Sequence, residues 1–225
     1  GLLALSVALA DEGSGIDEAS IRLFVNGVDR SAEIVFEAGR VTLAGLDLDD
    51  RVHLVHVEAA DLAENRTVFE WSFEIDSTAP FFTRFLPADG FRTAAHSLVA
   101  EAEFGDAGSG VDASGIRVYH NGVERTATAR RTGSRVVLVI ENPAPGDNVV
   151  RVDVPDRAGN VASRTWTFRV DRQGPTITGV VPELGAIFAD HRPVFRAVVS
   201  DESGVNHAAA AAAVDLEDVT ATATF

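Results

Sequence analysis

The sequence predicts an all-β protein built from tandem seven-stranded β-sandwiches arranged end to end. The first observation is an internal repeat: Asp11–Asp17 (DEGSGID) returns as Asp106–Asp112 (DAGSGVD), 95 positions later (106 − 11). The same offset relates Trp71–Asp76 to Trp166–Asp171. The second observation is that the complete copy contains short stretches of strand-like alternation separated by turn signals, with no helical periodicity. Regular tandem copies are typical of rods and arrays, in which each copy is one folding unit.

The repeat divides the chain into three predicted domains. Repeat 1 covers residues 1–78 and lacks its first strand, repeat 2 covers 79–173 and is complete, and repeat 3 covers 174–225 and is truncated. A unit of roughly 100 residues matches a sandwich of immunoglobulin type and is long enough to bury its own core.

Seven strands are expected in repeat 2, each marked by apolar residues at alternate positions or by a β-branched run. In order they are Phe81–Leu86, Leu98–Phe104, Ile116–His120, a polar edge strand at Arg125–Arg130, Arg135–Ile140, Val150–Val154 and Trp166–Val170. Asn121-Gly122 follows the third strand and supplies the positive φ angles that a tight hairpin requires. Seven strands at this spacing predict a Greek-key sandwich.

The strand pattern of repeat 2 also applies to repeat 1. Gly1–Ala10 could be the end of a signal peptide, but at the repeat offset it aligns with the predicted strand around His96–Gly105, so we expect a strand there. Its inward residues would be Leu3, Leu5, Val7 and Leu9. Trp71 and Trp166, on the last strand of each copy, are expected to anchor the cores.

Composition excludes several classes of function. The net charge of −15 argues against a nucleic-acid partner, because phosphate binding needs clustered cations. The chain has no cysteine, which excludes disulfides and thiol chemistry. No apolar run approaches the roughly 18 residues that a membrane-spanning helix needs.

Three motifs in order resemble those of tandem bacterial immunoglobulin-like (Big-type) domains, which occur in large surface adhesins and secreted repeat proteins. They are DxTAP at Asp76–Pro80, DxGSGxD at Asp106–Asp112 and DxAGN at Asp156–Asn160. The resemblance covers essentially the whole chain and implies an immunoglobulin-like fold at an extracellular or cell-surface location. The pattern is broken at Glu64, where glycine is usual, and in the second linker, Asp171–Pro175.

The resemblance also implies a possible cofactor, because some of these stalks hold Ca²⁺ between neighbouring domains. In an immunoglobulin topology, the loops that begin at Asp106 and Asp156 lie where the chain enters repeat 2, close to Asp76. Asp171 and Asp201 would form the next such pair. The alternative is that these residues cap turns through their own backbone, and no contiguous calcium loop is present.

Catalytic signals are absent from the sequence, so we expect no enzyme. Gly13-Ser14-Gly15 and Gly108-Ser109-Gly110 lack the G-x-S-x-G spacing of a nucleophile elbow. His53 and His56 are three residues apart on a predicted strand and should face opposite sides, so they cannot chelate one metal ion.

The leading hypothesis is a structural spacer of a surface or secreted repeat protein, with neighbouring repeats or like subunits as its partners. A second is a self-assembling filament with strand exchange, because a sheet without its first strand exposes an edge. A third is a module that binds a glycan or protein, alone or beside a secreted enzyme. The candidate aromatic residues for such binding are Phe81, Phe82, Phe91 and Tyr119.

Overall fold

The computed structural model describes residues 3–189, 192–215 and 217–220, and nearly all of its regular structure is β. Gly1 and Leu2 lie outside the described residues. The strands of repeat 1 are β1 (Leu3–Ala8), β2 (Ile16–Val25), β3 (Val28–Asp29), β4 (Val35–Glu37), β5 (Arg40–Leu46), β6 (Arg51–Asp61) and β7 (Arg66–Ile75).

Two antiparallel sheets face each other in repeat 1, with strand orders β1-β5-β4 and β3-β2-β6-β7. Alternate residues of these strands point inward, as the sequence pattern predicts. They form one buried apolar cluster of Leu5, Ile21, Leu23, Val25, Val41, Leu43, Leu46, Val55, Val57 and Ala59. The strand expected within Gly1–Ala10 is β1, with Leu5 in the core.

Repeat 2 has the same architecture with two more strands. Its strands are β8 (Phe81–Leu86), β9 (Phe91–Thr93), β10 (Ser97–Gly105), β11 (Arg117–His120), β12 (Val123–Glu124), β13 (Arg130–Arg131), β14 (Arg135–Glu141), β15 (Gly146–Pro155) and β16 (Val161–Val170). The two sheets have the orders β13-β14-β10-β8 and β12-β11-β15-β16-β9. Asn121 and Gly122 both adopt positive φ (50° and 77°) between β11 and β12, which confirms the predicted hairpin turn.

The first two strands of repeat 2, β8 and β9, add one strand to the edge of each sheet. β8 pairs antiparallel with β10 in the first sheet, and β9 then pairs parallel with the end of β16 in the second. Phe85 on β8 packs against Trp166 with 5.6 Å between ring centroids. Trp166 and Phe168 are each only 1% exposed, so the prediction of a tryptophan core anchor is confirmed for repeat 2.

The predicted edge strand at Arg125–Arg130 is largely wrong. Thr126–Thr128 forms a 3₁₀ turn, and only Arg130–Arg131 pairs as β13. The reason is local: Thr126 is buried, and its hydroxyl accepts a 3.0 Å hydrogen bond from the Val118 backbone N–H. β9 and β12 are too short for alternation to reveal them.

Repeat 1 leaves its tryptophan less covered. Trp71 and Phe73 are half-buried, in contrast to Trp166 and Phe168. Within the described residues, β1 pairs only with β5, and β7 pairs only with β6. The positions that β8 and β9 occupy in repeat 2 therefore have no counterpart in the described part of repeat 1.

The described strands of repeat 3 form two separate hairpins. β17 (Thr176–Val181) pairs with β18 (Arg196–Ser200), and β19 (Ala213–Val214) pairs with β20 (Glu217–Asp218). A 3₁₀ turn at His207–Ala209 precedes β19. The residues of all four strands are exposed.

Candidate metal centre at the first junction

Three aspartates meet where repeat 1 joins repeat 2, and each is the residue that directly follows a strand. Asp76 follows β7, Asp106 follows β10 and Asp156 follows β15. One carboxylate oxygen from each lies within 4.8 Å of the others. The structure thus brings together the three residues that the sequence analysis placed at this junction.

Asp106 shapes its own loop and keeps one oxygen free. Its Oδ2 accepts hydrogen bonds from the backbone N–H groups of Gly108 (3.0 Å) and Gly110 (2.8 Å). Its Oδ1 is buried and has no hydrogen-bond partner among the described residues. In repeat 1, Oδ2 of Asp11 makes the same two bonds, to Gly13 (2.9 Å) and Gly15 (2.7 Å). Turn capping therefore accounts for one oxygen of Asp106 and leaves the other unexplained.

Asp156 is the most buried member, with 3% of its surface exposed. Its Oδ1 accepts from the backbone N–H groups of Gly159 (2.6 Å) and Asn160 (2.8 Å), and its Oδ2 accepts from Asn160 Nδ2 (2.7 Å). These bonds fix the carboxylate in the DxAGN turn. The same Asn160 amide donates to the backbone carbonyl of Asp76 (3.0 Å), which ties the turn to the linker.

Asp76 spans the boundary between the repeats. Its Oδ2 accepts from the Ser109 backbone N–H (2.7 Å) in repeat 2, and its Oδ1 accepts from the Thr78 N–H (3.0 Å). The hydroxyl and backbone N–H of Ser109, together with the N–H of Thr78, hold the pKa of Asp76 below its ordinary value. Asp76 is therefore ionised at neutral pH.

Gly108 makes the approach of Asp76 possible. A Cβ atom at this position would lie 2.5 Å from Asp76 Cγ, far inside van der Waals contact. At Gly13, the equivalent position of repeat 1, the nearest atom to such a Cβ would be Asp11 Oδ2 at 3.6 Å. The glycine is thus needed at the junction for close packing, in addition to any role in the turn.

No arginine or histidine forms an ion pair with Asp76, Asp106 or Asp156 within the described parts of the chain. Three carboxylates held this close repel one another unless a cation lies between them. Ca²⁺ takes six to eight oxygen ligands, including carboxylates, carbonyls and water. The free Oδ1 of Asp106 and the close approach allowed by Gly108 fit such an ion.

The second junction is built differently. Asp171 follows β16 and Asp201 follows β18, and both line one surface cavity of about 340 Å³ together with Glu202. Within the described residues, they form no three-membered cluster of potential metal ligands. Oδ1 of Asp201 accepts from the backbone N–H and the hydroxyl of Ser203, both at 2.8 Å. The hydroxyl of Ser203 also lowers the pKa of Asp171.

Asp50 is a junction residue that the sequence analysis missed. Its carboxylate accepts from the backbone N–H (3.0 Å) and hydroxyl (2.8 Å) of Ser77 and from the hydroxyl of Thr78 (3.2 Å). The linker is therefore bound to repeat 1 through Asp50 and to repeat 2 through Asp76. Proline occupies the equivalent position 145, so comparison of the repeats provides no signal for this contact.

Packing accounts for several of the other candidate site residues, whereas Phe81 and Phe91 are exposed. His53 is buried and stacks on Phe73, whereas the side chain of His56 lies on the outer face of the sheet, so the prediction that they face opposite sides is confirmed. Phe82 packs on Phe104, and Arg151 lies over the Tyr119 ring at 4.2 Å.

Comparison with known proteins gives solved structures of low identity and low TM-score. No protein-family model matches the chain, and no curated protein matches it significantly. The fibronectin(III)-like modules of Clostridium thermocellum CbhA match 74% of this chain and 85% of their own, at 7% identity and a TM-score of 0.40. The N-terminal Ig1-2 module of the Drosophila receptor protein tyrosine phosphatase DLAR matches 76% of this chain and 91% of its own, at 12% identity and a TM-score of 0.27.

A third neighbour is CopC from Methylosinus trichosporium OB3b, with 20% identity over 41% of this chain and 93% of its own and a TM-score of 0.33. The strand orders and the facing sheets define repeats 1 and 2 as tandem immunoglobulin-like β-sandwiches. No helix in the described part of the chain has the length and apolar character needed to cross a bilayer.

Proposed function

We propose that this chain is a spacer segment of an extracellular or cell-surface repeat protein, without catalytic activity, and that Ca²⁺ stiffens its first junction. The observation that carries the proposal is the meeting of Asp76, from the end of repeat 1, with Asp106 and Asp156 of repeat 2. A ligand shared by two repeats opposes bending between them.

The chemistry of the three side chains supports calcium. All three supply hard carboxylate oxygens, which suit Ca²⁺ and not the softer transition metals. Asp106 and Asp156 are oriented by backbone N–H donors, so little ordering would remain when an ion binds. Bound Ca²⁺ would neutralise the repulsion among the carboxylates and link the linker to both loops.

A spacer needs restricted linkers, and the first linker has several restraints. Pro80 limits the backbone at its end, Asp50 binds Ser77 and Thr78, and Asn160 binds the Asp76 carbonyl. The acidic surface, with a net charge of −15, supports solubility and discourages aggregation between copies.

The test compares the chain in calcium with the chain in chelator. We expect thermal unfolding of repeat 2 to shift upward in calcium, and residual dipolar couplings of the two repeats to fit one alignment frame only when calcium is present. If thermal stability is unchanged and the two repeats align independently in both conditions, the proposal that calcium stiffens the spacer is wrong.

A second candidate function is a filament formed by strand exchange, which is favoured by the edges of β1 and β7 that have no partner strand among the described residues. The half-buried Trp71 lies beneath the position that β8 and Phe85 occupy in repeat 2. Electron microscopy combined with light scattering separates the two candidates. Regular fibres would support exchange, and monomers at high concentration would support the spacer.

A further inference from the structure

His56 occupies a position on the outer face of repeat 1 where both of its ring nitrogens meet carboxylates. Nδ1 lies 2.7 Å from Glu70 Oε1 on β7, and Nε2 lies 2.8 Å from Glu58 Oε1 on its own strand β6. The Phe24 ring on β2 packs edge-on against the imidazole, with 5.5 Å between centroids. The ring therefore connects three neighbouring strands.

This arrangement is complete only when the imidazole carries two protons. A neutral imidazole has one N–H and can donate to one carboxylate, so its other nitrogen would direct a lone pair at the second carboxylate. The imidazolium donates to both. The hydrogen bonds and charges of Glu70 and Glu58 accordingly raise the pKa of His56 above its ordinary value.

Repeat 2 has the same construction with a permanent charge. At the repeat offset, Arg151 replaces His56, and its guanidinium donates to Asp153 (2.9 Å), which replaces Glu58. The guanidinium also lies over the ring of Tyr119, which replaces Phe24. A cation between an aromatic ring and an acid is thus common to both repeats. In repeat 1 it is a histidine, which can lose its charge, and in repeat 2 it is an arginine, which keeps it.

The other charged groups near His56 keep their charge around neutral pH, so the proton on His56 is the charge that changes there. On β2, Arg22 lies opposite Glu58, and its guanidinium donates to the backbone carbonyls of Ala19 and Ile21. Asp29, on the edge strand β3, lies opposite Phe24. On β7 the residues beside Glu70 on the same face are uncharged: Val68 and Ser72. The imidazole is about a quarter exposed (26%) and borders a surface cavity, so protons reach it freely.

We propose that His56 is a proton-operated clasp that holds β7 to β6 in mildly acidic conditions, which makes the stability of repeat 1 responsive to pH while repeat 2 stays constitutive. Below the ordinary histidine pKa of about 6.5, the folded and unfolded chains are both protonated, and the clasp is fully formed. As the pH rises through the higher folded value, the proton is lost and the added stability disappears.

The two tryptophans provide separate reporters, because repeats 1 and 2 contain one each. In a Trp166→Phe background, Trp71 fluorescence follows repeat 1, and in a Trp71→Phe background, Trp166 follows repeat 2. Between the unfolded and folded pKa values of His56, the folding constant of repeat 1 should fall as the pH rises, with a slope of at most about tenfold per pH unit because one proton is lost. The folding constant of repeat 2 should show no such step.

His56→Arg is the matched variant, because it installs the residue of repeat 2. In the Trp166→Phe background it should abolish the step and retain the stability seen at acidic pH, and Glu70→Gln should reduce the step. An NMR titration of the His56 ring in the unmodified chain gives a readout that does not depend on any variant folding. Titration of His56 at the same pH in native buffer and in denaturant, or an undiminished step in His56→Arg, would overturn the proposal.

Discussion

Replacement of Asp106 by asparagine tests the calcium junction most directly. Asparagine keeps a side-chain oxygen that can accept from the N–H groups of Gly108 and Gly110, so the loop retains its turn. The change removes the charge, and with it the free Oδ1 that we expect to bind the ion.

The expected size of the effect follows from binding linkage. Extracellular calcium modules bind with a Kd of about 10⁻⁴–10⁻³ M. At about 10 mM calcium and a Kd of about 0.1 mM, calcium bound only to the folded state stabilises it by about 2.7 kcal/mol. For a domain of about 100 residues this is an increase in Tm of about 10–20 °C. A hundredfold loss of affinity in Asp106→Asn would leave about 0.4 kcal/mol.

Asp11→Asn is the matched control, because Asp11 caps the same loop in repeat 1 through the same pair of glycine N–H bonds. Both variants lose the charge of the turn cap, but only Asp106 belongs to the three-aspartate cluster. The assay is differential scanning calorimetry with Trp166 fluorescence, in calcium and in chelator. If calcium shifts repeat 2 equally in Asp106→Asn and Asp11→Asn, or shifts neither these variants nor the parent, the three aspartates do not bind calcium.

Three further predictions concern the same loops and linker. Gly108→Ala should lower calcium affinity and reduce the free energy of unfolding by about 1–3 kcal/mol, because its Cβ would overlap Asp76. Gly13→Ala should be tolerated, and calorimetric calcium titration and thermal melting compare the two variants. Glu64 has a positive φ of 68°, a strained conformation for a residue with a side chain, where repeat 2 has Gly159. Glu64→Gly should therefore stabilise repeat 1 by about 0.5–1 kcal/mol in urea unfolding followed by Trp71 fluorescence, and an unchanged midpoint would contradict this strain. Asp50→Ala should lower the ¹⁵N order parameters of Ser77 and Thr78 without unfolding repeat 1. The hydroxyl and backbone N–H of Ser77 lower the pKa of Asp50, so the same fall in order parameters should occur in the parent chain as the pH falls below about 4. Unchanged order parameters at low pH would argue against a role for Asp50 in holding the linker.

The β-sandwich fold was predictable because two kinds of signal agreed. Alternation identified the inward residues of the long strands, such as Val150 to Val154 on β15, and the repeat offset transferred the assignment between copies. Strands of two or three residues have no measurable alternation, so β9 and β12 escaped prediction. The polar segment after Arg125 had strand-like composition, but the buried hydroxyl of Thr126 selects a turn.

The candidate metal centre was predictable in its members and not in its geometry. Asp76, Asp106 and Asp156 each follow a strand, and an immunoglobulin-like topology brings those strand ends together. The free oxygen of Asp106 depends on which carboxylate oxygen faces the glycine N–H groups, and sequence spacing carries no information about that choice. Asp50 was missed because its role in the linker is specific to repeat 1.

The two junctions show that a shared sequence offset does not ensure shared chemistry. At the second junction, Arg169 binds Asp147 (3.0 Å) within repeat 2 and Glu202 (2.6 Å) in repeat 3, so an arginine side chain supplies the cation between the repeats. At the repeat offset, Glu74 takes the place of Arg169, and the charge is reversed. At the first junction Arg157 donates to the backbone carbonyl of Ser109 (3.4 Å), but none of the three carboxylates forms an ion pair within the described residues. The loop there also contains the additional Gly108 that lets Asp76 approach. Within the described residues, the second junction has a side-chain ion pair between the repeats, and the first has three clustered carboxylates without one, which is the arrangement that the proposed calcium site requires.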